Sequence, residues 1–239
     1  MSSFNRKSQG RVSLERALSK LGLASRVEAK SWIESGRVKV HGSIETNPAR
    51  LVNPDQAHIE IDGKKAIKEK SRIIRFHKPK GVVTTKRDPE GRPKIYDFLP
   101  PEFQSFHAVG RLDMLTTGLL LLTNDTRISS HLTDPKSAIP RTYVVKVKGE
   151  VNDECLSRMK TGVLDEGEML MASRVEVNKR SGKESTLILE LTEGKNREIR
   201  RLCLSLGHEV TTLKRIRFGE YSLGDLAVGE HQEVLVNLP

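Results

Sequence analysis

The chain has 239 residues, with 41 lysines and arginines against 31 aspartates and glutamates, a formal net charge of +10. Its longest apolar run, Leu119 to Leu122, falls far short of the roughly 18 residues of a membrane-spanning helix, which excludes a helical membrane protein. Two cysteines, Cys155 and Cys203, match neither a disulfide framework nor a four-ligand metal site, so a reducing cytoplasm is the expected compartment, and the basic balance points to a polyanionic partner.

Residues 1–10 are polar, carry Arg6 and Lys7 and lack the apolar segment of a secretory signal; a short disordered basic tail is expected. Residues 11–70 read as a small unit. Leu14, Ala17, Leu18 and Leu21 recur at helical spacing before Gly22. A second helix starts at Ser25, where Glu28 completes a capping box, with Val27, Trp32 and Ile33 as its apolar face and Gly36 at its end. Val38 and Val40, then Ile59 and Ile61, alternate with polar residues before the turns at His41-Gly42 and Asp62-Gly63. Arg11, Arg16, Lys20, Arg26, Lys30, Arg37 and Lys39 fall on or beside the two helices. They form either an ordinary solvated face or a grip on a phosphate backbone.

A lysine-rich joint at residues 64–70 leads into residues 71–239. Strands are expected at 73–76, 82–85, 119–123, 143–147, 187–192 and 210–218, and helices at 126–132, 153–160 and 196–206. Their order lacks the strand-helix alternation of a doubly wound sheet, so an α+β domain on a mostly antiparallel sheet is expected.

The chain has no phosphate-binding GxxxxGK[ST] loop and no GxGxxG. Its seven histidines are scattered without paired spacing, so neither a cofactor nor a catalytic metal is expected. One segment stands out: Gly110-Arg111-Leu112-Asp113, running into Gly118-Leu119-Leu120-Leu121-Leu122. An aspartate on a loop before a buried strand can be fixed in place and open to a ligand. It can equally do no more than bond its own turn through Leu115 or Thr116.

The longer string GRLDMLTTGLLLLTND resembles the catalytic motif of pseudouridine synthases. His77-Lys78-Pro79-Lys80-Gly81-Val82 resembles the first motif of that family, Arg141-Thr142-Tyr143-Val144-Val145 its tyrosine motif, and the run Glu193 to Leu202, EGKNREIRRL, its third motif. The stretch from VSLERALSK to HIEIDG resembles the S-four-type RNA-binding domain that precedes the catalytic domain in the RsuA/RluB branch. The resemblance covers residues 11 to 236. Arg87-Asp88-Pro89-Glu90-Gly91-Arg92-Pro93 and the NREIRR form of the third motif are more similar to the RluB-type enzymes of large-subunit rRNA than to the small-subunit enzymes.

That resemblance implies an isomerase that detaches a uracil from its ribose and rejoins it through carbon five, without cofactor. It implies Asp113 as the catalytic carboxylate, Arg200 as a guanidinium holding it bidentately and favouring its charged form, and Tyr143 as the ring against the flipped base. Whether Asp113 attacks the sugar or abstracts a sugar proton stays open. Residues 193–217 hold seven lysines and arginines against three glutamates. Lys195, Arg197 and Arg201 of this cluster, with Arg111, Lys78 and Lys80, are expected to meet RNA phosphates. The expected partner is ribosomal RNA or an assembling subunit, the chain acting as a monomer. A non-catalytic assembly factor using the same basic surfaces is the alternative.

Overall fold

In the computed structural model of the chain, residues 10–67 and 70–236 are described; the expected basic tail, but for Gly10, lies outside them. Strand β1 (Val12–Ser13) leads into α1 (Leu14–Lys20) and α2 (Arg26–Glu34). Ser25 caps α2: its Oγ accepts from Glu28 N at 3.2 Å, and Glu28 Oε2 accepts from Ser25 N at 2.9 Å. Leu14, Ala17 and Leu18 of α1 pack with Ala29 and Ile33 of α2 in one buried cluster. Val27 was expected on this face but is 71% exposed, because two residues before Ala29 is more than half a turn round the helix. Trp32 is half-buried at the edge of the cluster.

Strands β2 (Val38–Val40), β3 (Ser43–Ile44), β5 (Ile59–Ile61) and β6 (Lys64–Lys65) form an antiparallel sheet in the order β3-β2-β5-β6, while β4 (Leu51–Val52) pairs with β1. Both expected turns are present as two-residue connections with positive φ, His41-Gly42 and Asp62-Gly63, the geometry whose twist matches a hairpin. The first two lysines of the expected joint therefore belong to this sheet.

Beyond residue 70 the elements are β7 (Ile73–Lys78), β8 (His107–Ala108), β9 (Thr117–Thr123), α3 (Thr126–Thr133), β10 (Arg141–Lys148), α4 (Asp153–Thr161), the hairpin β11 (Val163–Asp165) and β12 (Glu168–Leu170), β13 (Arg174–Arg180), β14 (Glu184–Leu191), α5 (Glu198–Ser205), β15 (Val210–Phe218), β16 (Tyr221–Ser222) and β17 (His231–Val234). The main sheet runs β13-β14-β10-β15-β9-β7-β17, with β8 on β9 and β16 on β15; β15 and β9 are parallel and the other pairs antiparallel. The leucine run of β9 is central. Leu120 and Leu122 enter one core with Phe76, Val145 and Leu189, and Leu119 and Leu121 enter a second with Ile128, Leu132 and Phe218. A strand covered on both faces reads as continuous apolar sequence, each buried leucine contributing about 1.5–3 kcal/mol.

Residues 82–85 do not form the expected strand. Only Val83 makes an isolated bridge, to Lys94, and the segment is tied instead to the loop that carries Asp113. The end of the joint is fixed on the β9–α3 corner, where Asn124 Oδ1 accepts from Arg72 N, Asn124 Nδ2 donates to Lys70 O, and Ser71 Oγ donates to Asp125 Oδ2 at 2.7 Å.

Candidate active site

A cleft of about 240 Å³ opens on the sheet between two loops, residues 109–113 on one side and residues 193–199 on the other. Its floor is built from β10 and β15: Arg141 and Tyr143 of the first, Leu213, Arg215 and Phe218 of the second. Alternation along a strand puts Arg141 and Tyr143 on one face, and antiparallel register sets Tyr143 opposite Arg215.

Asp113 stands at the rim, its side chain 39% exposed. The turn that follows is closed by backbone, Thr116 N donating to Asp113 O at 3.0 Å, and the carboxylate is not spent on it. The first motif fixes this loop. Thr84 Oγ1 donates to Leu112 O, Gly81 N donates to Met114 O at 2.8 Å, and Lys78 Nζ donates to Thr116 O at 2.9 Å and Pro79 O at 3.0 Å. Lys78 was expected to meet RNA. It is fully buried, and burial pulls its ammonium down to about 8, partly against the charge of Asp113. A lysine at the inner end of a core strand has only carbonyls within reach, so its task is to hold the Asp113 loop.

The expected Arg200–Asp113 fork is absent. Arg200 donates instead to Val210 O and Leu115 O, at 3.2 and 3.3 Å, and leaves Nε buried without an acceptor. Burial and the neighbouring Arg197 charge push its guanidinium down, and the charge of Asp113 opposes that shift. The guanidinium in contact is Arg197, Nη1 lying 3.8 Å from Asp113 Oδ2. Arg197 is the N-cap of α5 and has φ +48, a left-handed conformation that costs a residue with a side chain about 1–3 kcal/mol and is concentrated at functional sites. The next residue, Glu198, is buried on the cleft wall, accepts from Lys195 N at 3.1 Å, and is pushed up by burial.

Tyr143 is only 8% exposed yet lines the cleft, so its ring is both core and floor. Arg111, Lys195 and Arg197 line the mouth, and Lys80 is exposed. Arg201, expected to meet RNA, is occupied: Asp165 and Glu168 of the β11–β12 hairpin each accept from it at 2.6 Å. Its guanidinium is thus held by that hairpin, with Asp165 O as a further acceptor at 3.0 Å. On the helical unit Arg11, Arg16, Arg26, Lys30 and Arg37 are exposed and Lys20 is half-exposed; Arg37 is paired with Asp62 and Arg26 with Glu15.

Residues 72–205 match the family model described as RNA pseudouridylate synthase, and residues 12–57 match the S4 domain. The chain belongs to the RNA pseudouridylate synthase family. This synthase is 37% identical to ribosomal large subunit pseudouridine synthase B of Bacillus subtilis, over 92% of its own length and 91% of the relative's. It is 38% identical to the protein of the same name in Pseudomonas aeruginosa, over 92% of its own length but only 59% of that longer relative. A solved pseudouridylate synthase covers 94% of the chain, and is itself 96% covered, with 26% identity and a TM-score of 0.66. The mostly antiparallel fold and the order of RNA-binding and catalytic parts thus agree with the sequence reading. No helix among the described residues is long and apolar enough to cross a membrane.

Proposed function

We propose that this synthase converts a uridine of large-subunit ribosomal RNA to pseudouridine in the cytoplasm, acting as a monomer. The observation that carries the proposal is a partly exposed aspartate, unspent by its own turn and approached by Arg197, at the rim of a cleft floored by Tyr143. The relatives' names, which refer to the large ribosomal subunit, support the choice of substrate.

A uridine extruded from its stack enters the cleft with its base over Tyr143, whose face replaces part of the lost stacking. Asp113 then faces the sugar as the reacting carboxylate. The C1′–N1 bond breaks, the uracil turns within the cleft, and C1′ joins C5; C5 gives up a proton and N1 takes one, so the reaction is an isomerisation. Arg197 and Arg200 position Asp113 electrostatically, and Lys78 positions it through the loop. Arg111, Lys195 and Lys80 hold flanking phosphates, while Arg11, Arg16, Lys20, Arg26, Lys30 and Arg37 anchor a more distant part of the RNA. Such contacts set register and affinity rather than sequence.

Mapping pseudouridine in ribosomal RNA from cells with and without the gene tests this. The expected result is one or a few large-subunit positions that return to uridine. Loss confined to small-subunit RNA overturns the substrate, and an unchanged map overturns the enzyme reading in favour of an assembly factor.

A further inference from the structure

Arg141 and Arg215 flank Phe218 on the cleft floor, their Cζ atoms 4.8 and 4.9 Å from its ring centroid. Arg141 is satisfied, donating to Thr192 O at 2.7 Å and Leu132 O at 3.0 Å. Arg215 is not. It is 3% exposed, its Nε donates to Leu119 O at 2.7 Å, and its Nη2 is buried with no acceptor. Among the described residues no carboxylate pairs with it. A buried cation with an unmet donor is unfavourable until something supplies the acceptor. Strand register places it opposite Tyr143 on β10 and opposite Gly118 on β9.

Resting on the function proposed above, we propose that Arg215 is a catalytic residue that holds a ring oxygen of the target uracil and takes up the negative charge developing there as the glycosidic bond breaks. Whether Asp113 attacks C1′ or removes the C2′ proton, the C1′–N1 bond breaks with its electron pair left on N1 and delocalised onto O2 and O4. With the base filling the space over Tyr143, such an anion requires a fixed donor at the cleft floor, and a guanidinium held from behind by Leu119 is pre-organised for it. Arg111, Lys195 and Arg197, at the mouth, suit phosphates; Arg215 lies at the floor beside the tyrosine, where the base arrives. The same donor also favours a base that presents a carbonyl oxygen at this point over one that presents an amino group.

The test uses the full chain with Arg215→Lys and Arg215→Met. Single-turnover rates are measured on a target RNA and on the same RNA with 5-fluorouridine at the reacting position, read as loss of the N-nucleoside, alongside RNA affinity across a salt series. Fluorine makes the departing base a more stable anion, less dependent on the guanidinium. The expected result for Arg215→Met is a loss of roughly 10²–10³-fold on uridine, a clearly smaller loss on fluorouridine, and unchanged affinity and salt dependence, with Arg215→Lys between. Because both rates come from one preparation, partial misfolding leaves their ratio unmoved. Equal losses on the two RNAs overturn the proposal in favour of a structural role. Unchanged rates with weaker binding and a shallower salt dependence overturn it in favour of a phosphate contact. A wild-type chain that converts no uridine overturns the function itself, whereas an active wild type with an unmoved ratio overturns the role of Arg215 alone.

Discussion

Gly118→Ala tests how the sheet sets the distance between the two halves of the site. Gly118 sits at the parallel junction of β9 and β15, five residues after Asp113 and in register with Arg215. A Cβ there would lie 2.2 Å from Arg215 O and 2.7 Å from Arg215 N, both backbone atoms that no side-chain rotation can move. The strands would have to part by roughly 1 Å to restore ordinary contact, against overpacking costs of about 1–3 kcal/mol. The backbone at φ +100 adds about 1–2 kcal/mol for a residue with a Cβ, so a loss of about 2–5 kcal/mol is expected. The displacement moves Arg215, and Tyr143 with it, away from Asp113, and misplacement by about 1 Å costs on the order of 100-fold in rate. Gly81→Ala is the matched control: its φ is +84 but nothing lies within 4 Å of the added atom, so only the backbone penalty applies. Urea midpoints and single-turnover rates on a target RNA are the assays. If Gly118→Ala matched Gly81→Ala in both, the close approach of the strands would not be what spaces the site.

Lys78→Met leaves Thr116 O and Pro79 O without their buried donor; at about 1–3 kcal/mol each, a loss of about 2–6 kcal/mol in urea denaturation is expected, with slower turnover and unchanged RNA affinity. Acid sensitivity should concentrate at Asp125. Burial alone would raise its carboxyl, but hydrogen bonds from Arg127 and Ser71 hold it well below the usual range. A folded-state value below the unfolded one, about 3.9, gives stability that is complete above that pH and lost as pH falls through the window beneath it. Denaturation between about pH 4 and pH 2 should therefore be steeper for the wild type than for Asp125→Asn. Replacing Arg16, Lys20 and Arg26 together by Gln should weaken RNA binding and reduce the log–log salt slope by about 2–3, whereas Arg201→Ala should lower the melting temperature and leave that slope alone.

Elements with a local stop or start signal were legible in the sequence. The Ser25–Glu28 box marked the start of α2, and the leucine run marked β9. Strand β13, Arg174–Arg180 on the sheet edge, was missed: only Val175 and Val177 alternate with polar residues before a polar run, too short an apolar signal to stand out. Residues 82–85 read as a strand from their composition, but the Val83 backbone bonds Pro93 and Ile95, Thr85 Oγ1 donates to Arg87 O, and Thr84 Oγ1 donates to the Asp113 loop. Of the site, Asp113 and Tyr143 came from motif resemblance, and both line one cleft. The distinction between Arg197 and Arg200 as the carboxylate's neighbour was hidden, because it depends on a left-handed turn at a non-glycine residue. The cleft placement of Arg215 and Glu198 depends on a register between strands more than seventy positions apart and on the entry of α5, which no local pattern reports. Lys78 and Arg201 were misread because charge alone does not say whether a side chain meets solvent, a carbonyl or a carboxylate.

The central claim is that the Asp113 carboxylate performs the chemistry at a site whose RNA grip lies elsewhere. Asp113→Asn is nearly isosteric and takes no hydrogen bond away from the turn, which is closed by backbone atoms. Pseudouridine formation by the variant on ribosomal RNA, measured beside its RNA affinity, tests the claim most directly. The account predicts binding within a few-fold of wild type and no detectable product; conversion at a near-normal rate would contradict it.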